Sequence, residues 1–448
     1  MLKRIVSILC ILVMLTALFV GCANNAEKDQ TKTDKNMSKE EKNSEENKEP
    51  KEVTLSYVSW MTKGEDKPFM KAFMDENPNI KIQDEALDGT DYDKLLKVRL
   101  LSGDAPDVML LQWAQYKKYV TEGHLMDVAD EPGMALLAKK ETMDEVFTVD
   151  GKKYGFPINA NGGPLPVYYN KKYFDKLGIT PPKTMEEFYQ VCEKIKADGV
   201  EPIVFGGKDG WPTEFFFRFR QYTGLLDKYP EWGLALYNGE LKPSEFFKKE
   251  FEMCEEFVNK GYIGKASLTL TWPQSVPYFI EGRAAMLPQG PWVVGLPEVA
   301  EADPEKFELA CFTAPVDPYA DGKKYSMSEV DRLIAVSSKT EYPEEAKKLF
   351  NWFISPENLR KYLESQSLTT FLDLEYNVAP VLQEHFKTLS SDEYVLLFSQ
   401  KAQMPSGFIA DAFWNGFQNI LAGSTSADEL KKLDAEFEKT KDAIVVSE

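Results

Sequence analysis

Between residues 53 and 120 the chain alternates strand and helix patterns three times, and nothing else in it restricts the fold so much. Residues 53–60 (VTLSYVSW) place apolar and polar side chains by turns, the period-two signature of a strand. Residues 66–76 follow as a helix stopped by Asn77-Pro78, residues 79–83 as a second strand, and residues 92–101 as a helix ending at Ser102-Gly103. Residues 106–111 read as a third strand and residues 113–120 as a helix ending near Gly123. Strands that alternate with helices in this way run parallel, with the helices as crossovers on the sheet faces, so the fold class is α/β.

The alternation continues in mixed style. Thr184-Met185-Glu186-Glu187 is a capping box that opens a helix through Ala197, closed by Gly199. Residues 202–205, 284–287 and 333–336 read as short strands, and residues 215–224, 244–260 and 343–354 as helices. Residues 356–365 form a helix with Ser355 as N-cap and Pro356 in its first position. Residues 410–421 are amphipathic, and Ser426-Ala427-Asp428-Glu429 caps a terminal, charge-rich helix. No internal repeat is visible. The 448 residues suggest two or three domains, at roughly 100–200 residues each.

The first fifty residues belong to none of this. Lys3 and Arg4 precede an apolar run over residues 5–20, which reads as a signal peptide spanning 1–21 and is too short for a transmembrane helix. It ends in Phe19-Val20-Gly21-Cys22, which resembles a bacterial lipobox, with Phe19 where Leu is usual and Cys22 as the lipidated residue. Residues 23–51 are almost all polar and hold no aromatic residue, so they cannot bury enough apolar surface to fold. Residues 22–52 are therefore expected to be a lipidated Cys and a disordered tether, holding an extracytoplasmic domain to the cell membrane.

Composition removes several kinds of chemistry. A net charge of −19 argues against a nucleic-acid footprint, which needs a basic face. Two His residues leave little room for His-based metal sites or a Ser-His-Asp triad, and His124 and His385 both read as surface residues. Neither a P-loop nor GxGxxG follows a strand, and the acidic stretches 88–93 and 317–322 do not have calcium-loop spacing. No cofactor or metal is expected. Of five Cys, Cys10 leaves with the leader; Cys192, in helical step with Phe188 and Ile195, Cys254, in step with Phe251 and Val258, and Cys311 read as inert core thiols. The tether has 7 Lys against 8 Asp plus Glu, so the acidity belongs to the folded part. What remains to be explained is the 12% aromatic content, with 8 Trp.

Several stretches, in order and spacing, together carry a resemblance. They are Leu101-Ser102-Gly103-Asp104-Ala105-Pro106-Asp107-Val108, then Gly151-Lys152-Lys153-Tyr154-Gly155-Phe156-Pro157 with Tyr169-Asn170-Lys171, then Pro181-Pro182-Lys183-Thr184 with Phe188. Phe279-Ile280-Glu281-Gly282-Arg283-Ala284-Ala285-Met286 and Gly290-Pro291-Trp292 follow, and residues 346–355 complete the set. Over residues 53–430 the chain resembles the extracellular solute-binding proteins of ABC importers, family 1, the sugar- and oligosaccharide-binding lipoproteins that include maltodextrin- and multiple-sugar-binding proteins. That resemblance implies a two-lobed periplasmic-binding-protein-like fold (type II), each lobe a mainly parallel sheet flanked by helices, hinged so that the lobes close on a solute. The lobes would be 53–160 with 314–375, and 161–313 with 376–448, the chain crossing near 159–166 and 315–325. No enzyme activity is implied. The expected partners are a carbohydrate and the transmembrane subunits of an ABC permease, with the protein acting as a monomer.

Sugars present hydroxyls around a rim and weakly apolar C–H faces, so a sugar site calls for polar side chains and stacked rings. Trp60, Gln112 and Trp113 follow strands at the carboxyl ends, where ligands of such sheets lie. Trp292 stands where the family stacks a Trp on a pyranose, Trp414 resembles a stacking Trp of the maltodextrin branch, and Asn159 and Asn161 lie at the first crossover, where the family has a ligand-facing polar residue. Trp211 lies in a loop and Trp272 in an extended segment before Pro, and both are candidates. Trp352 reads as core, and Trp232 as a surface or packing residue. Many family members carry Gly-Gly before the strand at 333; this chain has Ser328-Glu329-Val330-Asp331-Arg332, which makes Glu329 and Asp331 candidate acceptors for hydroxyls. An aromatic and acidic cage would also suit a cationic solute such as a polyamine. Composition alone would also permit an extracellular glycoside hydrolase with two carboxylates.

Overall fold

The opening alternation folds as its pattern demands. The computed structural model describes residues 52–446, apart from 62–63, 90, 140–143, 145, 163, 215–223, 371 and 399–400. β1 (Val53–Ser59) leads through α1 (Lys67–Glu76) to β2 (Ile80–Ala86), and on through α2 (Tyr92–Ser102) to β3 (Val108–Leu111) and α3 (Trp113–Thr121). β1 is parallel to both β2 and β3. Then come β4 (Phe156–Gly162), β5 (Pro166–Asn170), α4 (Met185–Ala197), β6 (Glu201–Ile203), α5 (Lys248–Asn259), α6 (Trp272–Ile280), β7 (Ala284–Pro288) and β8 (Leu309–Thr313). The chain continues through β9 (Lys324–Val336), α7 (Pro343–Ile354), α8 (Pro356–Ser365), α9 (Gln383–Leu389), β10 (Tyr394–Phe398), α10 (Asn415–Leu421) and α11 (Ser426–Thr440).

These strands form two sheets, one in each lobe. The first has the order β10-β9-β3-β1-β2, with β4 also paired to β9; the second has the order β8-β5-β7-β6. β3 and β7 are buried along their whole length, which is why both read as unbroken apolar runs. In the second sheet β6 and β7 are parallel, while β5 runs antiparallel to both of its neighbours, so that sheet is mixed.

Each lobe has its own core. Leu55, Phe73, Leu110, Phe350 and Phe353 are buried together under the first sheet. Phe188, Cys192, Phe251, Cys254, Phe417 and Phe437 fill the second lobe, and a smaller cluster of Tyr168, Phe279, Leu287 and Leu382 lies on the other face of its sheet. Among the described residues Cys192, Cys254 and Cys311 are unbridged; burial raises the Cys192 and Cys254 thiols well above their ordinary range and pushes Cys311 up to about 12. The chain passes from the first sheet to the second between β4 and β5, and back between β8 and β9.

Local signals set most helix ends. Thr184 Oγ1 accepts the Glu187 N–H at 3.2 Å, and Ser355 Oγ accepts the Asn358 N–H at 3.4 Å. Where the structure departs from the pattern, packing is the reason. The helix expected over 244–260 is broken at Phe247, because Phe246 stacks on Trp232 (5.0 Å) while the adjacent Phe247 reaches Phe413 (4.8 Å). The amphipathic stretch at 410–421 starts as a π-helix, Ile409–Trp414, before α10. β9 runs far longer than the four apolar residues that announce it, its polar first half held by β10 and β4. Thr425, not Ser426, caps α11: Thr425 Oγ1 accepts the Asp428 N–H at 3.2 Å, and the Ser426 N–H goes to the Glu255 carboxylate. The expected helix at 215–224 lies outside the described residues except at its last position.

His385 corrects an expectation. It is buried, with Nδ1 2.8 Å from Thr313 Oγ1, because α9 turns its His face onto β8; burial pushes the imidazole down to about 3. His124 is also largely covered, its ring edge-on to Tyr119 at 5.8 Å and Nε2 3.4 Å from Glu122. Trp352 is half-buried rather than central. It packs on Phe69 and Phe73 at the edge of the first core and donates through Nε1 to Glu76 at 2.8 Å.

Candidate functional site

Three tryptophans far apart in sequence meet at one end of the second sheet. Trp211 lies 5.8 Å from Trp272 and 6.1 Å from Trp292, and Trp272 lies 6.5 Å from Trp292, all between ring centroids. All three are half-buried, so the group keeps open ring surface. Trp211 begins a 3-10 turn, Trp272 is the first residue of α6, and Trp292 lies in the 3-10 turn Pro291–Gly295 just after β7.

Two glycines and a carboxylate let them approach. A Cβ on Gly206 would fall 2.3 Å from the Trp272 backbone nitrogen, and one on Gly290 would fall 2.1 Å from the Trp292 ring. Asp209 Oδ2 accepts the Trp272 N–H at 2.7 Å, and Tyr168 donates to the Gly290 carbonyl at 3.1 Å. Behind the trio, Trp414 rests on Gly210 and donates through Nε1 to Glu214 at 3.2 Å. The wide turn of the π-helix sends Phe413 into the core and leaves Trp414 on this face. Burial raises the Asp209 carboxyl, the Trp272 N–H draws it back down, and Asp88, from the loop after β2 in the first lobe, raises it further.

The first lobe contributes a different surface. Trp60, just past β1, stands edge-on to Tyr92 at 5.1 Å, and the Tyr92 hydroxyl donates to the Leu110 carbonyl at 2.6 Å. This ties the Trp60 support to the end of β3. Gln112 is exposed at the N-cap of α3, its backbone N–H held by Gln115 Oε1 at 3.0 Å. Trp113 stacks on Tyr116 at 5.7 Å and tilts against Phe147 at 5.1 Å, with Lys117 Nζ 5.6 Å from its ring, so much of it is engaged in its own lobe.

Deeper in the first lobe, β9 and β4 carry a polar network. The β9–β4 register shifts between Val330 and Arg332, leaving Asp331 as the extra residue of a bulge. Asn159 is fully buried; its Nδ2 donates to Asp331 Oδ2 at 3.4 Å, and its Oδ1 has no hydrogen-bond partner. Arg332 is buried, with Nε 3.5 Å from Asp331 Oδ2 and Nη1 donating to Tyr362 (3.1 Å) and to Gln366 Oε1. Asp66 is buried too, and it accepts from Tyr57 at 2.8 Å, Tyr362 at 3.0 Å and Gln366 at 3.4 Å. The Trp292 turn adjoins this network. Trp292 packs against the first core as well as the smaller second-lobe cluster, and a Cβ on Gly295 would lie 3.3 Å from the Ser365 carbonyl, next to Gln366.

Of the residues singled out from sequence, Trp211, Trp272 and Trp292 are brought into mutual contact, with Trp414 beside them and Asn159 paired to Asp331. The side chains of Asn161 and Glu329, and the whole of Cys22, lie outside what the structure describes. Sequence reasoning missed Asp209, Glu214, Gly206 and the Asp66–Arg332 network, and named Gly290 only as part of the Gly290-Pro291-Trp292 motif. Gly206-Gly207 after a strand, Gly290 before a Trp, and an Arg directly preceding Leu-Ile-Ala-Val were the available signals. Among the described residues no three His, Cys, Asp or Glu side chains gather as a metal site. Open indole faces and carboxylates can stack on C–H surfaces and accept hydroxyl protons.

Residues 59–359 match the family described as bacterial extracellular solute-binding protein. The chain is 26% identical over 360 residues to the multiple sugar-binding protein of Streptococcus mutans serotype c, covering 79% of each. Its fold is similar to that of RafE, a solute-binding protein solved in complex with raffinose, with a TM-score of 0.70 at 23% identity over 87% of this chain and 100% of that one. It is equally similar to a chitin oligosaccharide binding protein, with a TM-score of 0.70 at 22% identity over 87% of this chain and 99% of that one. The two-lobed α/β architecture is the one those proteins share.

Proposed function

Because the chain belongs to the bacterial extracellular solute-binding protein family, we propose that it captures a carbohydrate, and more narrowly an oligosaccharide, between its lobes and delivers it to an ABC permease. As a member of that family it is an extracytoplasmic transport binding protein and not an enzyme, which sets the hydrolase reading aside. The observation that carries the proposal is the convergence of Trp211, Trp272 and Trp292 with open ring faces. Relatives whose names cite multiple sugars and maltodextrin support a sugar over other solutes.

In this reading Trp60, Gln112 and Trp113 line the first-lobe side with Asn159, Asn161, Glu329 and Asp331, and Trp414 extends the aromatic floor of the second lobe. We take the lobes as 53–160 with 314–375, and 161–313 with 376–448; the first core draws on residues 53–158 and 330–372, while Ala314 and Met327 join the second core and β10 pairs with β9 in the first sheet, so the last two segments exchange contacts at the boundary. Cys22 carries the lipid that anchors a monomer to the membrane, and incorporation of labelled palmitate that Cys22→Ala abolishes checks this. Calorimetric titration against a glycan panel, with tryptophan emission followed in parallel, tests the main proposal. Micromolar binding with a change in emission is expected, and silence across the panel overturns it. The acceptors Asp209 and Glu214 beside the rings favour a cationic amine as the second reading, so spermidine binding without any glycan binding would replace the first.

A further inference from the structure

The carbohydrate reading leaves open which chemical class of sugar the site admits, and the first-lobe network bears on that. Asp331 is the one member of the Asn159–Asp331–Arg332 group whose side chain keeps appreciable exposure, at 23%, against 6% for Arg332. A bulge re-aims a side chain that a regular ladder would place on the other face. Asn159, fully buried, is turned toward Asp331 and leaves Oδ1 with no hydrogen-bond partner beside it. An acceptor of that kind calls for a donor, such as a hydroxyl. Arg332 could have offered an anion a partner, but its Nη1 is committed inward, to Tyr362 and Gln366 with Asp66 beyond them, and its buried Nε, which makes no hydrogen bond, lies 3.5 Å from Asp331 Oδ2. On the opposite lobe the groups bonded to the Trp cluster, Asp209 and Glu214, are also carboxylates; exposed Lys208 is the cation near Asp209.

We infer that Asp331, aimed by the bulge and braced by Asn159 and the buried Arg332, is the polarity filter of the cleft: it accepts hydroxyl protons from an uncharged sugar and repels a sugar bearing a carboxylate. The inference rests on the carbohydrate reading. Arg332 is the positioning residue of the filter, since it fixes Asp331 without being free to meet a ligand anion. Like charges a few ångströms apart in a partly desolvated cleft penalise a uronate by roughly tenfold or more in affinity.

The test is calorimetric titration of the purified protein with neutral oligosaccharides (raffinose, stachyose, maltotetraose, chitotetraose) and with uronate oligosaccharides (tri- and tetragalacturonate). The neutral sugar that binds is then compared with its own uronate derivative. The derivative is expected to bind at least about tenfold more weakly at low salt, and the gap to narrow as salt rises while neutral binding stays flat. Asp331→Asn should shrink the same gap. Two results overturn the filter alone: a uronate bound as tightly as the neutral sugar, or a gap that Asp331→Asn leaves intact. Should Asp331→Asn fail to fold, the salt dependence of the wild-type protein still decides, since a salt-independent gap contradicts a charge filter. Binding of neither class overturns the carbohydrate reading, and the filter with it.

Discussion

The two lobes build facing surfaces from opposite materials. The second lobe offers rings on loop ends, positioned by close backbone approach at Gly206 and Gly290. The first lobe offers a polar network seated in the middle of its sheet, with Asp66 and Arg332 buried on either side of Tyr362. They also bury titratable groups differently. The first lobe buries a cation, Arg332, beside its carboxylates, whereas the second buries Glu250 and Glu429 with no buried cation among the described residues and keeps a neutral His385 and protonated thiols. Rings tolerate small shifts in a bound surface, while a buried ion network holds one geometry. On the proposed carbohydrate reading, the division would assign breadth of contact to one lobe and selection to the other.

The sharpest way to break that contrast is Asp66→Ala. It leaves Arg332 buried with one counter-charge fewer and should destabilise the protein by about 3–5 kcal/mol in urea unfolding. An unchanged midpoint would mean that the first-lobe network is not a compensated charge system. The acid response of His385 comes next. Its folded value near 3 lies below the ordinary 6.5, so the unfolded chain takes up a proton that the folded one refuses. The contribution is fully present above about pH 6.5 and declines as pH falls toward 3, at up to ~1.4 kcal/mol per pH unit. His385→Gln should flatten that slope by one proton, and an identical slope in wild type and variant would contradict a neutral buried imidazole.

On the aromatic side, Trp292→Ala should cost on the order of 1–3 kcal/mol of sugar affinity by calorimetry. Gly290→Ala should cause a comparable loss with the indole retained, because the added methyl displaces the ring. If only the first weakens binding, ring placement is not what Gly290 secures. The smallest effect belongs to Glu214→Gln, which weakens the support of Trp414 and should lower affinity by about 0.5–1.5 kcal/mol. A larger loss there than at Trp292 would move the centre of the aromatic face toward Trp414.

The same contrast separates what could be read in the sequence from what could not. β1 to α3, the caps at Thr184 and Ser355 and the α7–α8 pair follow from local pattern, because period, capping residues and proline act within a few positions. The tryptophans announced themselves by type, but their meeting depends on three separate loops at the end of one sheet, which no local signal encodes. The first-lobe network was less legible still. Gln366 and Asp66 are 300 residues apart, and although Asp331 reads as a candidate acceptor from its place before the strand at 333, neither the bulge nor its pairing with Asn159 is written locally. His385 was misplaced because its helix is amphipathic and the burial of its His-bearing face is settled by β8, far away in sequence.

The buried thiols have a practical consequence. Thiolates, not thiols, attack maleimides, and Cys192, Cys254 and Cys311 are all held in the protonated form. A cysteine newly placed on the surface of each lobe would therefore outpace every native thiol among the described residues. A donor–acceptor dye pair attached there would report the distance between the lobes directly, with Cys192, Cys254 and Cys311 left in place.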